Sequence, residues 1–319
     1  MIKDKIRIDF NKNTKLLYYI VNIFKLFIPN FFYKDSLNYH INNLSNMDYI
    51  KKRVNYYNKI NEQFDTDNNM PSIKKFKKEE RKKTYYFDLL NYLKYFDPNL
   101  KISYIFGDII DIPDKPTLLK SRPINGDNSN SVLMKLNAVR HFIFVNDTTK
   151  FEDKKNILVW RGKCYKQHRI DFIKKFHDNR YCNIGQTNTK GDIHVPWQKE
   201  KLSLNKQLKY KFILAIEGND VASNLKWAMS SNSLVLMAKP KYETWFMEGL
   251  LKENYHYALI KDDYSDLEEK IRYYSQNIKD AKKIIKNANN YVQQFKNTTQ
   301  ETIISLLVLK KYFEKSKQI

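Results

Sequence analysis

Three stretches of the chain end a β-prone run on a glycine beside a charged residue, and these offer the most chemistry. NILVWRGK ends in Arg161-Gly162, with Arg169 one to two helical turns further on. KFILAIEGND ends in Glu217-Gly218-Asn219-Asp220 and runs on through Val221, Ala222 and Ser223 to Lys226. KISYIFGD ends in Gly107-Asp108, with Asp111 three residues later. A glycine closing a buried strand lets an anionic ligand approach the backbone, and a helix after it presents free N–H groups and a positive dipole end. Two guanidiniums beside such a turn can grip a diphosphate by bidentate hydrogen bonds, and Lys226 can add a point charge. Asp220 or Ser223 can cap the helix, and Ser223 can instead donate to a phosphate oxygen. Asp108 can take a proton from an attacking hydroxyl as a general base. Plainer readings stay open: a capped helix, surface cations, and a turn-forming aspartate before a proline-rich loop.

Other signals lead away from metals and from hydrolysis. Asp65-Thr66-Asp67 matches a DxD metal–nucleotide pattern, but it lies in an Asn-rich loop between predicted helices rather than after a buried strand. The six histidines show neither HExxH nor the His/Cys spacing of a zinc site, so no metal site is expected. GxSxG and GxxxxGK[ST] are both absent. Cys164 and Cys182 are too few for a disulfide framework, and no apolar leader follows the charged amino terminus, so a cytoplasmic setting is expected.

The elements that must hold these residues divide near residue 150. The first part reads as helical over 14–30 and 36–62, then as a polar loop at 65–72, with Pro71 opening a helix that carries the basic run KKFKKEERKK. Short strands are expected at 101–108, 117–120 and 141–145. From 156 onward strands and helices alternate: NILVW, a helix near 166–177, YCNIG, KFILAIEG, a helix from about 221, SLVLMA, a short helix near 244–250, and HYALI. Such alternation with short connections predicts an α/β fold with a parallel sheet covered on both faces. Helices from 264 close the chain.

Composition fits this picture. Of 319 residues, 42% are hydrophobic, which excludes wholesale disorder, and no stretch is long and apolar enough for a spanning helix. The 57 Lys+Arg against 35 Asp+Glu leave +22, partly an AT-rich codon bias and partly a sign of an anionic partner: a nucleotide, phospholipid headgroups or nucleic acid. The apolar stripe at 16–33 is either a core helix or a surface for an anionic membrane.

The residues also carry a resemblance. LLKSRPI (118–124), KLNAVRHFIFVND (135–147), LVWRG (158–162), YKFILAIEGNDVASNLKWAMSSNSLVLM (210–237), YETWFMEGLL (242–251) and HYALIKDDYSDLEEKI (256–271) together resemble glycosyltransferase family 90, especially its bacterial lipopolysaccharide branch. The resemblance implies a GT-B fold: two Rossmann-like domains facing across a cleft, with extra amino-terminal helices. Residues 1–150 would bind the acceptor and 151–296 the donor, with 297–319 packing back on the first domain. It implies inverting, metal-independent transfer of a hexose or xylose from a UDP-sugar to a glycan or lipid-linked oligosaccharide, with no cofactor and no nucleic-acid partner. Asp108 takes the place of the family's base, with Asp111 as runner-up. Arg161, Gly162, Arg169, Gly218, Val221, Ala222 and Ser223 match the donor-binding positions. Eukaryotic members have an arginine where Asn224 stands, and Lys226 would replace part of its charge. Glu243 and Glu248 lie where a carboxylate could hold a ribose or sugar hydroxyl. The rivals are a basic nucleic-acid-binding protein, for which no module signature exists, and a relative that has lost catalysis.

Overall fold

A computed structural model describes residues 10–28, 33, 46–77, 82–189 and 195–319. The amino-terminal half is mainly helical: α1 (Phe10–Leu26), α2 (Met47–Tyr57) and α3 (Lys83–Leu93). In α2, Ile50, Arg53, Val54 and Tyr57 are buried at i, i+3, i+4 and i+7, the spacing of one helical face. Three three-residue strands follow, β1 (Thr117–Leu119), β2 (Ser121–Pro123) and β3 (Ser131–Leu133), then the single turn α4 (Ala138–His141). β1 pairs in parallel with β3, and Tyr104 bridges to Leu118 on the other side.

The carboxy-terminal half contains β4 (Lys155–Gly162), α5 (Gln167–Phe176), β5 (Cys182–Gln186), α6 (Leu204–Gln207), β6 (Tyr210–Leu214), α7 (Leu225–Met229), β7 (Leu234–Met237), β8 (Tyr242–Thr244) and β9 (Ala258–Leu259). Helices α8 (Leu267–Gln276), α9 (Ile278–Gln293) and α10 (Thr298–Lys315) end the chain. Five of these strands form one parallel sheet in the order β5-β4-β6-β7-β9. Its residues alternate between two cores. Leu158, Trp160, Phe212, Leu214, Leu234 and Leu236 face α5 and α8, whereas Val159, Ile213, Val235 and Met237 join the core of the amino-terminal half. Burial on both faces explains why these strands read as continuous apolar runs.

The second core binds the halves together. α10 contributes Ile304, Leu306, Val308, Leu309, Tyr312 and Phe313 to it and packs on α2 and α3. Its buried Glu301 is ion-paired with Arg53 of α2 and accepts the Trp245 indole N–H at 2.6 Å. β8 crosses to pair antiparallel with β2, setting Glu243 opposite Arg122.

Several expected elements differ. Among the described residues the expectation of two Rossmann-like domains meets one such sheet; the amino-terminal half has only three-residue strands. The 141–145 run is α4 followed by irregular chain, because Val145 N–H donates to Ser230 Oγ (2.9 Å) rather than to a ladder. Pro71 opens no α-helix: a 3-10 turn at Ile73–Lys75 follows, and α3 begins at Lys83, past most of the basic run. Residues 29–32, 34–45 and 78–81, on which parts of the expected helices and of that run fall, lie outside the described residues.

Candidate active site

The strand order places a topological switch between β4 and β6. Chain leaving β4 crosses to β5 on one side, and chain leaving β6 crosses to β7 on the other. Ligands of open parallel sheets bind outside the carboxyl ends of the strands at such a point. Arg161-Gly162 closes β4 and Glu217-Gly218 follows β6, so two of the glycine turns flank this crevice. A cavity of about 430 Å³ opens there, lined among others by Asp108, Arg140, His141, Arg169, Gly218, Asn219 and Ser223.

Asp108 reaches the crevice from the other half. Gly107 has φ +129°, a backbone conformation that side-chain-bearing residues rarely adopt, and this turn follows the last pairing of 103–105 with β1. Ser121 Oγ then holds the Ile109 carbonyl at 3.0 Å. Asp108 Oδ1 is ion-paired with the Lys120 ammonium, and Oδ2 accepts the Asn219 amide at 3.1 Å. Lys120 is only 2% exposed and also pairs with buried Asp220 at 2.6 Å. Burial works against charge on Asp108, but Lys120 and the Asn219 hydrogen bond outweigh it and hold the carboxyl below its usual range. Asp220 is pushed the other way by burial, against the pull of Lys120. Lys120 keeps its proton despite burial, because Asp220 and Asp108 raise its pKa. Asp111 is exposed and lies outside the cavity lining.

The remaining expected residues divide. Arg169 and Arg161 both line the 430 Å³ cavity. Arg169 donates to the carbonyls of Lys163, Ile216 and Glu217 at 2.7–3.1 Å, which leaves two of its five N–H groups for a ligand. Arg161 donates to Glu200 O, Trp160 O, Asn183 O and Asn183 Oδ1, bracing β4 against β5, and keeps one. Gly162 is glycine for packing: a Cβ there would meet the Trp160 ring at 2.2 Å. Gly218, Val221 and Ser223 line the cavity. The helix expected from about 221 starts only at Leu225 and has five residues, with Asn224 Nδ2 bonded to Leu214 O at 2.8 Å.

Lys226 and Glu243 need correction. Lys226 is fully buried, ion-paired to Glu248 at 2.5 Å and stacked near the Phe246 ring, so its charge is directed into the core rather than at a diphosphate. Glu243 is buried against Arg122 Nε (2.8 Å) and the Tyr56 hydroxyl, a bridge between β8 and β2 rather than a ribose ligand. Glu248 accepts Thr244 N–H at 2.6 Å and, unlike Glu243, lines a cavity at the carboxyl end of the sheet. Besides Arg161 and Arg169, the cations that border the cavity are Arg140, Lys163 and Lys166. Sequence reading missed them, and Lys120 too, although the quoted motifs contain Lys120 and Arg140. An isolated Lys or Arg carries no spacing signal.

A second cavity of about 330 Å³ adjoins the first and shares Lys166, Gly218, Asn219 and Val221 with it. Ala222, Met237, Ala238, Pro240, Tyr242 and Tyr264 contribute to its wall, and Glu217 to its polar edge. Glu217 accepts the backbone N–H groups of Lys241 (2.9 Å) and Tyr242 (3.3 Å), yet burial pushes its pKa up to about 7.

α4 is set by the helices behind it. Asp88 of α3 accepts the Ala138 N–H at 2.9 Å and the Tyr18 hydroxyl of α1 at 2.7 Å, and burial raises its pKa to about 6. Thr84 holds the side chain of Asn137, whose backbone is left-handed. These contacts present Arg140 and His141 to the crevice.

The family model described as glycosyl transferase family 90 matches residues 131–314. The O-glucosyltransferase LpsA of Dichelobacter nodosus is 43% identical over 264 residues, 83% of this chain and 82% of that protein. Human protein O-glucosyltransferase 3 is 32% identical over 164 residues, 49% of this chain and 31% of that protein.

Proposed function

The chain belongs to glycosyltransferase family 90 and is a glycosyltransferase, and we propose that it moves a hexose or pentose from a UDP-sugar to a glycan hydroxyl with inversion. One observation carries the reading: two adjoining cavities share a wall at Gly218, Asn219 and Val221, and the cation-bordered one contains Asp108. The nucleoside takes the more apolar 330 Å³ cavity, and the diphosphate crosses Gly218 toward Arg169, Lys166, Lys163 and Arg140. The sugar then lies beside Asp108. The name of the Dichelobacter nodosus relative favours a glucosyl donor. In GT-B terms, the carboxy-terminal sheet holds the donor and the amino-terminal half holds the acceptor.

Asp108, ionised at neutral pH, accepts the proton of the acceptor hydroxyl while that oxygen bonds to the anomeric carbon. The bond from carbon to the diphosphate oxygen breaks on the opposite face, and its electron pair leaves with UDP. Charge on the leaving group is met by the bordering cations and backbone amides, a preorganised arrangement that needs no metal. Thermal-shift measurements with UDP, GDP, CMP, UDP-glucose and UDP-xylose test the donor, and NMR of the product's anomeric configuration tests inversion. Stabilisation by UDP compounds alone and a product of inverted configuration are expected. Stabilisation by none, or a retained configuration, refutes the reading. EDTA leaves turnover intact; loss of activity that Mn²⁺ restores refutes the metal-free scheme.

The acceptor is proposed to be lipid-linked, in lipopolysaccharide or other surface-glycan synthesis, with the enzyme on the cytoplasmic leaflet. α1 supports this. Its Tyr18 and Asn22 side chains bond inward to α3, whereas Leu16, Leu17, Ile20, Val21, Ile23, Phe24, Leu26, Phe27 and Ile28, on or just after α1, are 41–79% exposed. A helix that turns its polar stripe to the protein and its apolar stripe outward suits an interfacial position. No helix among the described residues is long and apolar enough to cross a membrane.

A further inference from the structure

His141 closes α4 on the wall of the 430 Å³ cavity. It is 4% exposed, and neither ring nitrogen has a hydrogen-bond partner among the described residues. Leaving a buried polar atom unpaired is costly, so two on one ring point to a ligand that completes them. The chemistry of that ligand is limited by the surroundings. Burial first, then the positive charges of Lys120, Lys226 and Arg140, keep the imidazole neutral. A neutral imidazole has one N–H donor and one lone pair, so it offers no charge to a phosphate. A hydroxyl, itself donor and acceptor, is the matching group.

We propose that His141 reads a hydroxyl of the transferred sugar and so contributes to the choice of sugar. The inference rests on the donor reading above and deepens it. The donor sugar, rather than the acceptor, is assigned because buried His141 lines the same cavity as Asp108 and the cations assigned to the diphosphate. A site built to hydrogen-bond a substrate hydroxyl rejects the analogue that lacks it, because the protein group is then left unpaired. The division of labour is therefore simple: cations take the diphosphate, Asp108 takes the proton, and His141 recognises the sugar.

The test compares wild type, His141→Ala and His141→Gln with UDP-glucose and its 2-, 3-, 4- and 6-deoxy analogues, reading kcat/KM, together with UDP affinity by calorimetry. In wild type one deoxy position is expected to be rejected by about 100-fold or more. In His141→Ala that ratio falls below about tenfold at that position alone, while UDP affinity stays within about threefold. His141→Gln, which again offers a donor and an acceptor, recovers part of the discrimination and guards against a folding artefact. Unchanged discrimination in a folded His141→Ala protein overturns the inference, as does an equal loss of UDP affinity, which would make His141 a phosphate ligand. A wild type that neither binds UDP nor uses UDP-glucose overturns the donor reading first, and the inference with it.

Discussion

Replacing Lys120 with methionine tests how the base is held. The side chain keeps its length and loses its charge, so Asp108 and buried Asp220 are left facing one another without the cation between them. Removing one member of a buried ion pair costs about 3–5 kcal/mol, because the remaining charge is uncompensated. The double variant Lys120→Met with Asp220→Asn removes the stranded charge and is expected to recover more than half of that loss in urea unfolding. Catalysis responds separately. An adjacent cation lowers a carboxyl pKa by about 1–3 units, and Lys120 is the main influence lowering that of Asp108. The acidic limb of the kcat/KM profile, below the ordinary carboxylate range in wild type, therefore moves up by about 1–3 pH units in the folded double variant. A limb that stays in place while the protein remains folded would mean that Asp108 is not the titrating base.

Three further outcomes are expected. Burial raises Glu217 to about 7, so its neutral form is favoured by the fold; this stability is complete below about pH 4.5 and is lost as pH rises through 7. Glu217→Gln removes that decline, at most about 3 kcal/mol, and an unaltered pH dependence of unfolding would refute the assignment. Gly162→Ala forces a Cβ into the Trp160 ring and is expected to destabilise by about 1–3 kcal/mol, measured by thermal unfolding. Replacing Leu17, Phe24 and Phe27 by serine leaves the polar inward face intact and abolishes co-sedimentation with anionic liposomes; retained binding would move the membrane contact elsewhere.

The carboxy-terminal sheet was legible because its strands are largely buried and the apolar runs through β4 and β6 stop at Arg161-Gly162 and Glu217-Gly218. That Asp108, Arg169 and Gly218 border one crevice was legible for the same reason: each follows such a run. Lys226 and Glu243 misled because position after a strand says nothing about which way a side chain packs. Both proved to be halves of buried ion pairs whose partners, Glu248 and Arg122, lie 22 and 121 residues away. Lys120 and His141 were hidden by the converse: their roles come from contacts or unmet hydrogen bonds between distant segments, with no local pattern. The amino-terminal half resisted because its strands have three residues each and are completed by pairing with Tyr104 and β8.

The central claim is that Asp108 is the base at a crevice built to hold a nucleotide diphosphate. Single-turnover transfer by Asp108→Asn, measured beside UDP affinity in the same protein, tests it most directly. A rate at least about 1,000-fold below wild type with UDP affinity within about threefold is the predicted result. Transfer at the wild-type rate would contradict the claim, whatever the affinity.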